Sequence, residues 1–296
     1  MAWFSPKPLI LPELLAQNAC FAPHKPAWVW NGNTVTWREF GDGTGRLGNA
    51  LLAAGLRHGD RVVVLMSNSY EMAEAMFGVV RAGLVAVPLN VSVTDDAIAG
   101  MIDDAEARAV IASGDHIDRV DAIRDRIGSR IGARFIGLAA QRDGWLDYHS
   151  LRDANTDTSL EVEISADDEC NLIYSSGTTG MPKGIVHDHA CREAWASDMA
   201  VALRYHSGAR TLCNLGLFSN ISWVAMLATI FTGGTIYIEH KFTPTGFLET
   251  VQREKITHAA MVPLQFQKIL ECEVFENYDL SSLDAYMCCG SPLAVG

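Results

Sequence analysis

The chain switches repeatedly between short, unbroken apolar runs and longer amphipathic stretches, and that alternation restricts its fold more than any other feature. Residues 61–66, 84–87 and 108–112 are too short for helices and too apolar to keep one face in water. Runs of this kind are strands of a parallel sheet covered on both sides. The segments between them carry helix signals. Ser69 opens a helix over 70–81 that Gly83 closes, and Thr94 opens one over 95–106. A further helix is expected over 116–127 and a strand over 134–138.

Nearer the start, apolar residues 27–30 and 34–37 flank Asn31-Gly32-Asn33, a hairpin turn. Thr36 and Glu39 form a capping-box pair for a helix running towards Leu52, with a stop near Gly55. Gly41, Gly43, Gly45 and Gly48 weaken that helix by its own propensity. Residues 141–168 break the rhythm. Their polar core, Asp153-Ala154-Asn155-Thr156-Asp157-Thr158, reads as a linker. Beyond it the alternation resumes, with strands over 171–175, 185–187, 211–215, 235–239, 257–262 and 284–289. Helices lie over 190–204, 221–231 and 245–255, and Pro263 starts another at a position where a missing N–H costs little. The expected fold is α/β: two similar subdomains, residues 1–165 and 166–296, each a mostly parallel sheet sandwiched by helices.

Charge narrows the function classes. Residues 1–165 carry 21 acidic and 15 basic side chains and residues 166–296 carry 14 and 8, so each half stands at −6. Neither half has the basic balance that tracks a phosphate backbone, and a nucleic-acid partner is not expected. The longest apolar stretch, 223–231, falls well short of the roughly 20 residues that span a bilayer. The first residues, Met1-Ala2-Trp3-Phe4-Ser5-Pro6, lack the basic-then-apolar order of an export signal. Seven cysteines form an odd set without a C-x-x-C pair, which fits a reducing, cytoplasmic location. Cys288 and Cys289 fall on an apolar strand and are expected to be inert core thiols.

The chemistry is concentrated in Tyr174-Ser175-Ser176-Gly177-Thr178-Thr179-Gly180-Met181-Pro182-Lys183-Gly184. A strand delivers the chain into a run of hydroxyls and glycines that ends on a lysine. Glycines let backbone N–H groups approach a ligand, hydroxyls add donors, and Lys183 adds a point charge suited to phosphate. The inventory suits a polyphosphate better than an ordinary exposed turn. It is not a P-loop, because Lys183 falls three residues after Gly180 and is followed by Gly184 rather than Ser or Thr. Nor is it a dinucleotide loop, since no glycine precedes Gly177 at the required spacing. His187-Asp188-His189 could suggest a metal pair, but no third ligand is evident and a structural role is expected.

The segment from Tyr174 to Gly184 resembles the signature of the adenylate-forming superfamily, which includes acyl-CoA synthetases, luciferases and peptide-synthetase adenylation domains. Further resemblances follow in that family's order. Asn214-Leu215-Gly216-Leu217-Phe218-Ser219-Asn220 is similar to the segment that usually reads Pro-Leu-Phe-His, and Val262-Pro263 to a Val-Pro that follows a strand. Cys289-Gly290-Ser291-Pro292-Leu293 resembles a Gly-Gly-Ala-Pro-Leu element that lies against adenine. Residues 34–40 and Gly59-Asp60-Arg61-Val62 are similar to acyl-CoA synthetase segments. The family's later elements, a Tyr-Gly-x-Thr-Glu motif, a ribose aspartate and a mobile C-terminal domain with the adenylation lysine, do not appear in this sequence. The chain is therefore expected to be the N-terminal part of a synthetase, impaired on its own.

What the resemblance implies is an AMP-forming acid–thiol ligase. A carboxylic acid attacks ATP to give an acyl-adenylate and pyrophosphate, and coenzyme A then displaces AMP. By resemblance Ser175, Ser176, Gly177, Thr178, Thr179, Gly180 and Lys183 hold the phosphates with Mg2+, and Thr178 and Lys183 serve the catalytic step. Gly290, Ser291 and Pro292 face adenine. The acyl pocket is expected at Phe218, Ser219, Asn220, Trp223 and Pro263, with Met226, Leu264 and Phe266 as further wall candidates. No metal site is expected in the chain beyond the magnesium that accompanies ATP. Partners are a small-molecule acid and a nucleotide, and the resemblance leaves room for a homodimer. Two alternatives stay open: an adenylation domain loading a carrier protein, and a non-catalytic nucleotide- or acyl-binding remnant.

Overall fold

The computed structural model describes residues 9–155, 158–175 and 182–292. Its contacts divide the chain into two units. One comprises Met1–Gln17, Glu39–Ser67 and Glu71–Glu193, the other Asn18–Arg38, Asn68–Tyr70 and Ala194–Gly296. In chain order, α1 (Leu11–Phe21) precedes a hairpin of β1 (Pro26–Trp30) and β2 (Asn33–Thr36), and α2 (Trp37–Ala53) follows. Next come β3 (Arg61–Leu65), α3 (Tyr70–Arg81), β4 (Val85–Pro88), α4 (Asp95–Asp104) and β5 (Ala109–Ala112). Then follow α5 (Ile117–Ala122), α6 (Arg124–Ile131), β6 (Phe135–Gly137), β7 (Leu146–Asp147), α7 (Tyr148–Asp153), β8 (Glu169–Ser175) and β9 (Lys183–Asp188). The remainder is α8 (His189–Ala202), β10 (Arg210–Cys213), α9 (Asn220–Thr232), β11 (Thr235–Ile238), α10 (Pro244–Glu254), β12 (His258–Met261), α11 (Pro263–Leu270) and β13 (Ala285–Cys288).

The first unit holds a seven-stranded sheet in the order β7-β6-β5-β3-β4-β8-β9. Every neighbouring pair is parallel except β8 with β9. Its central strands are the unbroken apolar runs: every residue from Val62 to Leu65 and from Val85 to Val87 is fully buried. Thr94 caps α4, its hydroxyl accepting from the Ala97 N–H at 3.3 Å. The acidic residues of α4 face arginines of α5 and α6: Asp95 with Arg119 at 2.7 Å, Asp96 with Arg126 at 2.6 Å and Asp103 with Arg130 at 3.1 Å. These pairs are largely exposed and contribute little each. The single helix expected over 116–127 is two, broken at Ile123 between α5 and α6.

The expected linker at 141–168 is the largest departure from the sequence reading. β7 adds to the sheet beside β6, and Asp147 caps α7 by accepting from the Ser150 N–H at 2.8 Å. From α7, Tyr148 and Arg152 donate to the Glu74 carboxylate at 2.8 and 2.9 Å, and Glu74 is 1% exposed. Residues 158–165 then run extended with strict alternation: Leu160, Val162 and Ile164 half-buried, Ser159, Glu161 and Glu163 exposed. This strap explains two glycines that weaken α2. A Cβ on Gly45 would strike the Thr158 carbonyl, and one on Gly48 would come within 2.9 Å of Leu160 Cδ1. The helix gives up propensity so that the strap can lie against it.

The second unit holds a six-stranded sheet in the order β13-β12-β10-β11-β1-β2, parallel except for the β1–β2 hairpin. The division differs from a boundary at residue 165. The early hairpin pairs with β11, so it belongs with the later half. β8 pairs with β4 and β9 with β8, so residues 169–188 belong with the earlier half. Main-chain hydrogen bonds, rather than chain order, decide the partition. Among the described residues no helix is long and apolar enough to cross a membrane.

Candidate functional site

The glycine- and hydroxyl-rich segment lies between the strands of the antiparallel β8–β9 hairpin. Asn171, Leu172, Ile173, Tyr174 and Ser175 pair in turn with His187, Val186, Ile185, Gly184 and Lys183. Ser175 and Lys183 are therefore directly opposite one another, both exposed, where the hairpin leaves the sheet. Ser176, Gly177, Thr178, Thr179 and Gly180 lie outside the described residues. The strand is anchored below by Tyr174, whose hydroxyl donates to Asp104 at 2.6 Å. Burial and the neighbouring carboxylate push the Tyr174 phenol well above its ordinary value.

The base of the hairpin is polar and enclosed. Asn171, His189 and Arg192 are fully buried and His187 is 7% exposed. Burial, reinforced by the adjacent Arg192, holds the His187 imidazole down to about 4, and burial holds His189 at about 4. Both are neutral when folded at pH 7. His187 lies in β9 and His189 opens α8, so the two do not share one strand. Among the described residues no group of three His, Cys, Asp or Glu side chains could hold a metal ion.

A pH dependence follows. Unfolded histidines titrate near 6.5, above the folded value, so the unfolded chain binds more protons as pH falls through that window. Stability is complete above about 6.5 and declines towards about 4. Thermal melts at pH 7 and pH 4.5 should show a drop in Tm, and His189→Phe should flatten it. An equal drop in that variant would assign the effect to other groups.

In the second unit, three motif segments gather at the carboxyl ends of parallel strands, the edge where open α/β sheets bind ligands. Residues 214–219 follow β10, Val262-Pro263 follows β12, and Gly290-Ser291-Pro292 follows β13. Gly290, at φ +96°, lies against Ile221 and Val262, so the start of α9 and the entry to α11 meet the end of β13. Ser291 and Pro292 are exposed. Pro263 is the first residue of α11, and the Val262 N–H is satisfied by Gln265 Oε1 at 3.2 Å.

The residues proposed for the acyl pocket have different surroundings. Phe218 lays its ring on Gly216, where any Cβ would collide with it. Ser219 caps α9, its hydroxyl accepting from the Ser222 N–H at 3.2 Å. Trp223 and Met226 are completely buried. Asn220, however, borders an apolar cavity of about 330 Å³ that α9 shares with α8 and the end of β13. Its walls include Trp195 and Met199 from α8, Ile221 and Val224 from α9, and Met287 and Cys289, with Asp198 also on the lining. Phe266 lines a separate apolar cavity, also about 330 Å³, with Leu270 and Tyr286, while Leu264 is exposed. The helical period accounts for the sorting: 223 and 226 fall on the core face of α9, and 220, 221 and 224 on the cavity face.

One correction and one residue without a sequence signal remain. Cys288 and Cys289 are half-buried rather than enclosed, because β13 is the edge strand among the described residues. Burial beside Cys288 raises the Cys289 thiol, so it is not an activated nucleophile. Asn68 had no distinguishing sequence signal, yet its amide donates to the Leu215 and Glu239 carbonyls at 2.8 and 3.1 Å. Its oxygen accepts from the Leu217 N–H at 2.8 Å. It ties the β10–α9 loop to the end of β11.

Comparison with known proteins gives a consistent picture. The chain matches the family described as AMP-binding enzyme over residues 15–296. It is 31% identical over 278 residues to a feruloyl-CoA synthase from Amycolatopsis sp, covering 94% of this chain and 53% of the relative. It is 29% identical over 299 residues to a 4-coumarate–CoA ligase from Vanilla planifolia, covering 98% and 54%. The fold matches the anthranilate CoA ligase AuaEII, solved in complex with anthranoyl-AMP, at a TM-score of 0.89 and 24% identity, covering 98% of this chain and 56% of that one. The chain spans about half the length of the curated relatives it matches.

Proposed function

The chain belongs to the AMP-binding enzyme family, and from that premise we propose that the protein it represents is an AMP-forming acyl-CoA synthetase. The observation that carries the proposal is the β8–β9 hairpin, which sets Ser175 opposite Lys183 on either side of a hydroxyl- and glycine-rich segment. Ser175, Ser176, Gly177, Thr178, Thr179, Gly180 and Lys183 take the phosphates of ATP, with Lys183 opposing the charge that develops on departing pyrophosphate. Mg2+ arrives with the nucleotide and supplies charge neutralisation. Gly290, Ser291 and Pro292 take the adenine. The acid lies in the cavity bordered by Asn220, Ile221 and Val224, whose walls are apolar enough to hold an aryl or alkyl group. Coenzyme A is the acceptor thiol, as the names of the relatives suggest for those proteins. All the proposed binding segments fall within residues 166–296 of the chain.

The test has two arms. Thermal melts of this chain with ATP–Mg2+ should show a stabilising shift, because a ligand that binds the native state raises its apparent stability. Acid-dependent pyrophosphate exchange by the natural protein in full, across aromatic, short-chain and long-chain acids, should identify an active substrate class. Nucleotide binding without exchange for any acid would favour a non-catalytic binder. Exchange followed by transfer to a carrier-protein thiol, but not to coenzyme A, would favour the carrier-loading alternative.

A further inference from the structure

The β8–β9 hairpin has a weak point in its register. Its pairing shifts between Glu169 and Asn171, a bulge at the base of the strand that carries the hydroxyl- and glycine-rich segment. A bulge twists a strand, and a slip of one residue turns each of its side chains to the opposite face. The first regular pair above the bulge is Asn171 with His187. Four residues along each strand stand Ser175 and Lys183. The two-residue pleat places Asn171 and Ser175 on one face of β8, and His187 and Lys183 on the matching face of β9.

Arg192 spans that first pair. From the opening turns of α8, its Nε–H donates to Asn171 Oδ1 at 3.0 Å and its Nη2–H reaches His187 Nδ1 at 3.3 Å. The guanidinium is fully buried, as is Asn171, and His187 nearly so. The planar fork of arginine holds two acceptors at a fixed separation, which a lysine ammonium cannot do. A neutral His187 is required to accept, and burial keeps it neutral.

We infer that Arg192 is a positioning residue that clasps the cross-strand pair Asn171–His187 and thereby fixes the register in which Ser175 and Lys183 face each other. The inference rests on the phosphate-binding reading of the hairpin. It assigns Arg192 no contact with substrate. Its effect passes through strand register to Lys183, some 13 Å further along at about 3.3 Å per residue.

The test is steady-state kinetics on the natural protein in full, with Arg192→Met and Arg192→Lys beside Lys183→Ala. Both Arg192 variants should raise KM for ATP by on the order of tenfold or more, as misplacement of a binding group does, and leave KM for the acid unchanged. Hydrogen exchange should quicken in peptides covering 169–175 and 183–188 and stay unchanged in β3 and β5. If Arg192→Met fails to fold, Asn171→Leu removes one arm of the clasp at similar volume and should give the same selective rise. An unchanged KM for ATP, or ATP and acid KM rising together with general loosening, overturns the inference. If Lys183→Ala also leaves ATP kinetics untouched, the phosphate reading falls with it. If Lys183→Ala acts and Arg192→Met does not, only the clasp falls.

Discussion

Lys183→Ala in the natural full-length protein is expected to slow acid-dependent pyrophosphate exchange by roughly one to two orders of magnitude. Charge-assisted hydrogen bonds to phosphate contribute about 1.5–3 kcal/mol, and each 1.4 kcal/mol is a factor of ten. Lys183 is exposed at the strand end, so its removal should leave folding intact. Thermal melts should overlay those of the parent protein while exchange falls. The loss should be greatest in the adenylation half-reaction and small in thiolysis of a supplied acyl-adenylate. An unchanged exchange rate would remove Lys183 from the chemistry.

Arg152→Met is expected to cost about 3–5 kcal/mol, the usual penalty for removing one partner of a buried charge pair. Glu74 sits in the middle of α3, 1% exposed, and accepts from Arg152 and Tyr148. The flanking Asp153 and the Glu74 carboxylate raise the Arg152 guanidinium above its ordinary value, so the cation persists at every accessible pH. Without it the buried Glu74 carboxylate loses a charge-assisted hydrogen bond that water cannot replace. For a chain of 296 residues, 3–5 kcal/mol corresponds to a Tm lower by about 5–8 °C. The loss should be partly recovered by Glu74→Gln in the same molecule, which removes the buried charge. Additive losses in the double variant would show that the two side chains act independently.

The central strands of both sheets were legible because a fully enclosed parallel strand has no polar face to disguise it. Residues 62–65 and 85–87 are buried without exception. The β1–β2 hairpin was legible from Asn31-Gly32, but its sheet was not: its pairing with β11 joins residues some 200 positions apart, and no local pattern encodes that. The strap at 158–165 was missed although its alternation is regular, because the polar run before it drew the whole stretch into a linker. The hairpin bearing Ser175 and Lys183 was visible as strand, loop and strand. Arg192 was not, since a lone arginine near a helix start gives no hint that it is buried. The contribution of Trp195 and Met199 to the cavity was hidden for a related reason, as a helix face that lines a cavity has the same composition as one that packs in a core.

The strap laid along the glycines of α2 has an evolutionary corollary. Length changes in it are governed by parity. One residue added between Leu160 and Ile164 would send part of the inward row into water and turn glutamates inward in its place. Two added residues could loop out and preserve both rows. Homologous chains that differ in length here should differ by even numbers, and a stretch that looks like spare tether is counted as strictly as any strand.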